Sequence, residues 1–292
     1  MLDVHVCPLR TVSVMAHICE PHQSSNPEFS PGKVRRMSGA ESNKTLEVLS
    51  VSEDEEQVMQ SRGLVFQRYV QPCVAELLGT CLFVFVGCAS VVGDTGTAGV
   101  LQPAVAHGLA LGTLITVFGQ ISGGHLNPVV SLSVYLCGGM KLVLLLPYVT
   151  AQMLGAMIGA GLVKVAFPAV SYAAVHGAAF EPSVGDVGKA TLAEVMMSTC
   201  LTTVVCMTAV NQRTKTPWAP FCIGLTVTAN ILAGGVLSGA CMNPARAFGP
   251  AVAAGHWNHH WIYWVGPTCG ALLTVCFVRF LFGDQNTRVV LK

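Results

Sequence analysis

Ser122-Gly123-Gly124-His125-Leu126-Asn127-Pro128 and Ser238-Gly239-Ala240-Cys241-Met242-Asn243-Pro244 are two copies of one pattern, 116 residues apart. Each leads into a short apolar stretch, 127–137 and 243–254. A helix needs about 20 residues to cross a bilayer, so neither stretch reaches. Asparagine is a good helix N-cap, and proline at the first helical position gives up no hydrogen bond, because that N–H has no intrahelical acceptor. Both copies therefore read as helices that begin at Asn-Pro and stop part-way. At membrane depth such helix ends are tolerated only where their backbone is buried or lines a cavity. Two of them meeting tip to tip aim two positive dipole ends, each about half a charge, at one point. The asparagine NH2 groups are expected to face that point as donors.

The rest of the chain supplies the membrane. Of 292 residues, 52% are apolar and 11% charged, against about 25% charged in soluble domains. That balance excludes an ordinary water-facing exterior, a disordered chain, a collagen-like repeat and a disulfide scaffold. With a net charge of +1 and no basic block, no nucleic-acid partner is expected. Long gaps free of Lys, Arg, Asp and Glu punctuate the chain: 22 residues from Lys141 to Lys164, 30 from Lys215 to Arg246, 32 from Arg246 to Arg279. We place six spans, at 70–92, 101–120, 142–166, 190–210, 217–235 and 260–282. The fold class is an all-α membrane protein with six transmembrane helices and two re-entrant half-helices.

Residues 1–68 hold 7 Lys or Arg and 9 Asp or Glu and read as a disordered tail. Residues 69–282 form the membrane domain, with one repeat at 69–166 and the other at 189–282, and 283–292 form a second short tail. The loops at 93–100 and 167–188 carry no Lys or Arg, whereas the tail, Lys141, the loop Asn211–Lys215 and the chain end with Arg279, Arg288 and Lys292 do. The positive-inside rule makes both termini cytosolic. The sequon Asn43-Lys44-Thr45 then faces the cytosol and stays unmodified, and Arg35-Arg36-Met37-Ser38 and Ser52-Glu53-Asp54-Glu55 are kinase-like patterns of a common kind. No signal peptide is visible in the first 20 residues. The 12 cysteines show no CxxC or His/Cys pairing and read as reduced, small hydrophobes without a metal.

The repeat extends beyond the opening pattern. Ala75-Glu76 in the first span matches Ala193-Glu194 in the fourth, and His107-Gly108-Leu109 in the second matches Ile223-Gly224-Leu225 in the fifth. Three spans per copy invert the second in the membrane, an architecture of transport proteins with the site at the midplane. Glu76 and Glu194 stand inside spans, where an ionised side chain without a partner costs at least ~2.5 kcal/mol; chemistry would make them a general acid/base pair. Arg246, the single Lys or Arg between Lys215 and Arg279, is either an ion-pair member or a functional cation. His107 on an apolar helix is by default a satisfied core histidine.

Asn127-Pro128-Val129 and Asn243-Pro244-Ala245-Arg246, each preceded by Ser-Gly and by a glutamate about 50 residues earlier, in a six-span inverted repeat, resemble the aquaporin (major intrinsic protein) family over 69–282. The resemblance implies a passive channel for water and small neutral solutes, including hydrogen peroxide and ammonia with urea as a further candidate, excluding ions and protons. It implies homotetramers in membrane lipid, one pore per subunit, and no cofactor. Glu76 and Glu194 would accept from backbone N–H groups of the re-entrant loops. Arg246 would stand in a narrow selectivity filter completed by His107, Ile231 and Ala240. Ala247 replaces the aspartate of glycerol channels, so glycerol is disfavoured. Val129 replaces the usual alanine, and its extra methyls are expected to narrow or loosen the junction of the half-helices. Cys241, next to the filter, is an expected thiol-reagent site; Cys88 is a second redox candidate, with plain packing as its bland reading. The plasma membrane is the expected address, with intracellular membranes, mitochondria among them, also implied.

Three other classes stand against the passive channel. A coupled transporter wants a relay of titratable groups through the core, and Asp94 lies in a loop. A structural or junctional member, conducting water poorly or favouring peroxide and ammonia, is the alternative that Val129 keeps open. An enzyme needs a nucleophile–base pair, a phosphate loop or metal-ligand spacing, and the sequence offers none of these.

Overall fold

A computed structural model describes residues 58–289 apart from 95, 97, 183, 184 and 286. The sequon, both kinase-like patterns and the disorder expected before residue 58 lie outside the described residues. In chain order the helices are α1 (Val58–Val92), α2 (Leu101–Ser122), α3 (Pro128–Leu136), α4 (Leu142–Ala166), α5 (Ala169–Ala174), α6 (Val187–Val210), α7 (Ala219–Ser238), α8 (Pro244–Ala254) and α9 (Ile262–Phe282). Six of them are long and apolar enough to cross a membrane, whereas α3 and α8 have 9 and 11 residues. Among the described residues there is no strand.

Two boundaries differ from expectation. Helix α1 begins at Val58, inside the stretch read as tail, and passes through a wider π-type turn at Phe66–Val70. Arg62 and Arg68, two of the seven basic residues of that stretch, therefore stand on the helix, where long basic side chains lie along it as readily as they leave it. The chain past residue 282 is not free either. Gln212 N–H donates to Asp284 Oδ2 at 2.8 Å and Val289 N–H donates to the Arg279 carbonyl at 2.8 Å, so this end folds onto the loop after α6.

Packing repeats the internal symmetry. Helix α1 packs on α4 as α6 packs on α9, and α2 crosses α7 between the copies. Half-helix α8 leans on the last span of the opposite copy, α4, while α3 is wedged between the last spans of both copies, α9 and α4. At the α2–α7 crossing a Cβ on Gly108 would lie 2.6 Å from the Gly224 carbonyl, and one on Gly224 2.5 Å from the Gly108 carbonyl. Only two glycines permit that approach, and small residues are what bring membrane helices together where lipid removes the hydrophobic drive.

Candidate functional site: a pore between the half-helices

The tips of α3 and α8 are built alike. Asn127 caps α3 by accepting from Val129 N–H at 3.0 Å, and Asn243 caps α8 by accepting from Ala245 and Arg246 N–H at 3.0 and 3.2 Å. The amides also reach across the molecule. Asn127 Nδ2 donates to the Met242 carbonyl and Asn243 Nδ2 to the Leu126 carbonyl, both at 2.9 Å. An NH2 group has two protons, so one on each asparagine ties the copies together and one remains for the cavity.

Leu126, Ala240 and Met242 hold left-handed backbone, with φ of 49°, 52° and 55°, at a cost of about 1–2 kcal/mol each. The buried carboxylates hold these turns. Glu76 accepts from Ser122 Oγ (2.6 Å) and His125 N–H (2.9 Å) on one oxygen, and from Leu126 N–H (2.7 Å) and Gln152 Nε2 (2.8 Å) on the other. Glu194 accepts from Ser238 Oγ (2.6 Å), Cys241 N–H (2.8 Å) and Met242 N–H (2.8 Å). Two of the three donors to Glu194 lie in the loop entering α8, and Ser238 is the last residue of α7. Neither carboxylate lines a cavity.

Two cavities flank the tips. The larger, about 780 Å³, runs from Gln212 and Lys215, on the face that carries the chain end, to Asn127, Asn243 and Cys241. The smaller, about 190 Å³, opens on the opposite face and is lined by Cys88, His107, Phe180, Glu181 and Ile231. Arg246 lines both. Its Nη1 donates to the carbonyls of Ala240 (3.0 Å) and Cys241 (3.1 Å), and its guanidinium carbon sits 4.4 Å from the centre of the Phe180 ring. Among the described residues it makes no ion pair, which removes the ion-pair reading. The arrangement is two cavities on either side of one buried cation.

His107 Nδ1 lies 2.6 Å from the Pro103 carbonyl. A carbonyl only accepts, so Nδ1 carries the proton and Nε2 is left as an acceptor in the neutral ring. Ile231 shares the smaller cavity with His107, while Ala240 lines neither cavity and contributes its carbonyl to Arg246. Val129 is 2% exposed and also lines neither cavity. Pro128, Pro244 and Ala245 are buried as well. Cys241 lines the larger cavity and Cys88 the smaller, on opposite sides of Arg246. The ten described cysteines are free, and among the described residues no three His, Cys, Asp or Glu side chains converge as metal ligands.

Residues 64–277 match the family model described as Major intrinsic protein. The protein belongs to the aquaporin, or major intrinsic protein, family. Its curated relatives include aquaporin-8 of Rattus norvegicus, 52% identical over 229 residues that cover 78% of this chain and 87% of that one. Aquaporin TIP1-2 of Zea mays is 38% identical over 223 residues, covering 73% and 86%. Among solved structures, the aquaglyceroporin of Plasmodium falciparum superposes with a TM-score of 0.63 at 22% identity, covering 72% of this chain and 95% of that one, a likeness of fold. Aquaporins are membrane channels rather than enzymes, and the buried, fully hydrogen-bonded Glu76 and Glu194 leave no acid/base pair facing a cavity.

Sequence reasoning missed several parts of this aquaporin site. Tyr148 Oη donates to the Ser122 carbonyl and Tyr263 Oη to the Ser238 carbonyl, both at 2.8 Å. Their matching places in the two copies were the signal. Gln152, bonded to both Glu76 and Ser131, has Pro267 at the corresponding place in the second copy and so gave no paired signal. His125 lines the larger cavity, its Nδ1 3.0 Å from Ser131 Oγ. Phe180, in the long loop before α6, carries no periodicity that could have marked it.

Proposed function

We propose that this membrane channel passes water, hydrogen peroxide and ammonia, with urea as a further solute, and excludes ions and protons. The observation that carries the reading is the meeting of two cavities at Arg246, beside the tips of two opposed half-helices. A neutral polar molecule there finds donors from Asn127, Asn243 and Arg246 and an acceptor at His107. A cation meets a guanidinium and two positive helix ends in a site of low dielectric. Ile231 makes one wall of the waist apolar, which suits small solutes with little hydration to lose. Where Ala247 stands, no carboxylate is offered to a polyol. Exposed apolar side chains on the spans, such as Leu109 and Leu225, fit a homotetramer in lipid. The Lys and Arg distribution supports cytosolic termini, and the proposed address is the plasma membrane first and intracellular membranes second.

The test is osmotic shrinkage of proteoliposomes followed by stopped-flow light scattering. Fast shrinkage with a low activation energy, abolished by a mercurial in the wild type and spared in Cys241→Ser, supports the water path. Shrinkage no faster than in empty liposomes removes water from the solute set and leaves peroxide and ammonia fluxes to decide the rest.

A further inference from the structure

The waist has a support that no motif describes. Phe180, whose ring faces the Arg246 guanidinium, is followed by Glu181, and that carboxylate is bonded twice. His256 Nε2–H donates to Oε2 at 2.9 Å and Asn258 Nδ2 donates to Oε1 at 3.0 Å. His256 and Asn258 follow Gly255, the left-handed residue that ends α8. The same half-helix carries Arg246 in its first turn. One loop thus touches α8 at both ends, by Phe180 on the cation and by Glu181 just past the last turn.

The loop needs such a tether. His176, Gly177 and Ala178 hold φ of 47°, 60° and 64° in succession, and left-handed backbone costs a non-glycine residue about 1–2 kcal/mol. The His176 ring stacks on His256 at 4.4 Å with 12° between planes, a second anchor on the same side chain. The Phe180 ring also rests against Gly239, where a Cβ would come within 2.6 Å of it, and its centre lies 5.3 Å from that of the tilted Tyr263 ring. Phe180 is therefore seated on a wall that admits it, while the strained loop delivering it is held by His256 and Asn258.

We propose that Glu181 is a positioning residue for the filter: by clamping His256 and Asn258 it keeps Phe180 on Arg246 and sets how large a solute passes. The inference rests on the reading of Arg246 as the waist of the pore. Without the clamp the loop relaxes toward ordinary backbone, Phe180 lifts from the guanidinium, and solutes bulkier than water gain more than water does. A fold defect lowers all fluxes together and leaves their ratio unchanged, so the ratio reports positioning.

The experiment measures urea and water permeability of the full chain in proteoliposomes and takes their ratio, which is independent of copy number. Glu181→Ala is expected to raise the urea-to-water ratio by about threefold, the scale of one or two half-exposed hydrogen bonds. Glu181→Gln keeps an acceptor for Asn258 and falls between the two. His256→Ala raises the ratio in the same direction, and the double variant Glu181→Ala/His256→Ala falls short of the two effects combined, because the singles share the His256–Glu181 contact. Should Glu181→Ala fail to fold, His256→Ala and Asn258→Ala carry the test from the other side of the clamp. A ratio unmoved by these variants while Arg246→Val raises it overturns the clamp and leaves the filter standing. A ratio unmoved by Arg246→Val overturns the filter reading itself.

Discussion

At the scale of single residues, the waist is governed by what does not fit. A Cβ on Gly87 would come 2.3 Å from His107 Nε2, and the ring cannot simply swing away while Nδ1 holds the Pro103 carbonyl. Gly87→Ala should therefore lower thermal stability in detergent by an amount equivalent to about 1–3 kcal/mol of overpacking and slow water flux. Adding His107→Ala to it should restore the stability, because the clashing ring is gone. Electrostatics at the mouth of the smaller cavity give a second prediction. The amide of Asn258, followed by His256, holds the Glu181 carboxyl below its ordinary value. A depressed carboxyl contributes its stabilisation above the ordinary carboxylate range and loses it as pH falls through the folded value. The groups around it are His256 and His176 on its own face, Arg246 across Phe180, and Tyr172 and Lys164 beneath the loop. The urea-to-water ratio should stay flat from neutral pH down to the ordinary carboxylate range and rise only below it; a rise already at mildly acid pH would mean that a group other than Glu181 controls the mouth. Arg246, Asn127, Asn243 and the two glutamates were legible in the sequence because each stands alone in an apolar run or repeats at a fixed offset. Phe180 and Glu181 were not, since a loop residue acts through a fold that brings it back to a distant helix.

The half-helices decide matters one scale up. Each is held at its tip by a cap, by a carboxylate from the first span of its own copy, and by an amide from the opposite copy. Asn243→Ala removes a cap to two N–H groups and a cross-copy bond, whereas Asn127→Ala removes a cap to one N–H and its own cross-copy bond. Both should destabilise, by about 1–2 kcal/mol for the cap alone, with Asn243→Ala the worse of the two in a detergent unfolding series. Glu194→Ala strips three buried donors of their acceptor and should cost about 3 kcal/mol or more; the same change at Glu76 strips four but leaves Gln152 bonded to Ser131. The existence, number and limits of the membrane helices were readable from charge-free runs, to within a few residues except at Val58. Which helix leans on which was not. That pairing follows from glycines such as Gly108 and Gly224, whose partners lie more than a hundred residues away and leave no local trace.

The whole molecule is two interlocked copies. Because α8 leans mainly on α4 and α3 is shared between α9 and α4, neither copy alone contains all of the surface that buries its half-helix. Residues 1–186 or 187–292 expressed alone should be digested by protease at the half-helix and carry no flux, and co-expression should restore both protection and permeability. The inverted repeat was visible in the sequence, and with it the midplane site; the exchange of half-helices between copies was not, because a repeat offset records likeness and says nothing about which partner a segment chooses. The reciprocal bonds from Asn127 to Met242 and from Asn243 to Leu126 bear on how such a protein is made. A chain still emerging from the ribosome holds only one tip, with nothing opposite it, and so no passage exists until the last spans arrive. Biosynthesis of a permeable protein then leaves the membrane sealed at every step but the final one.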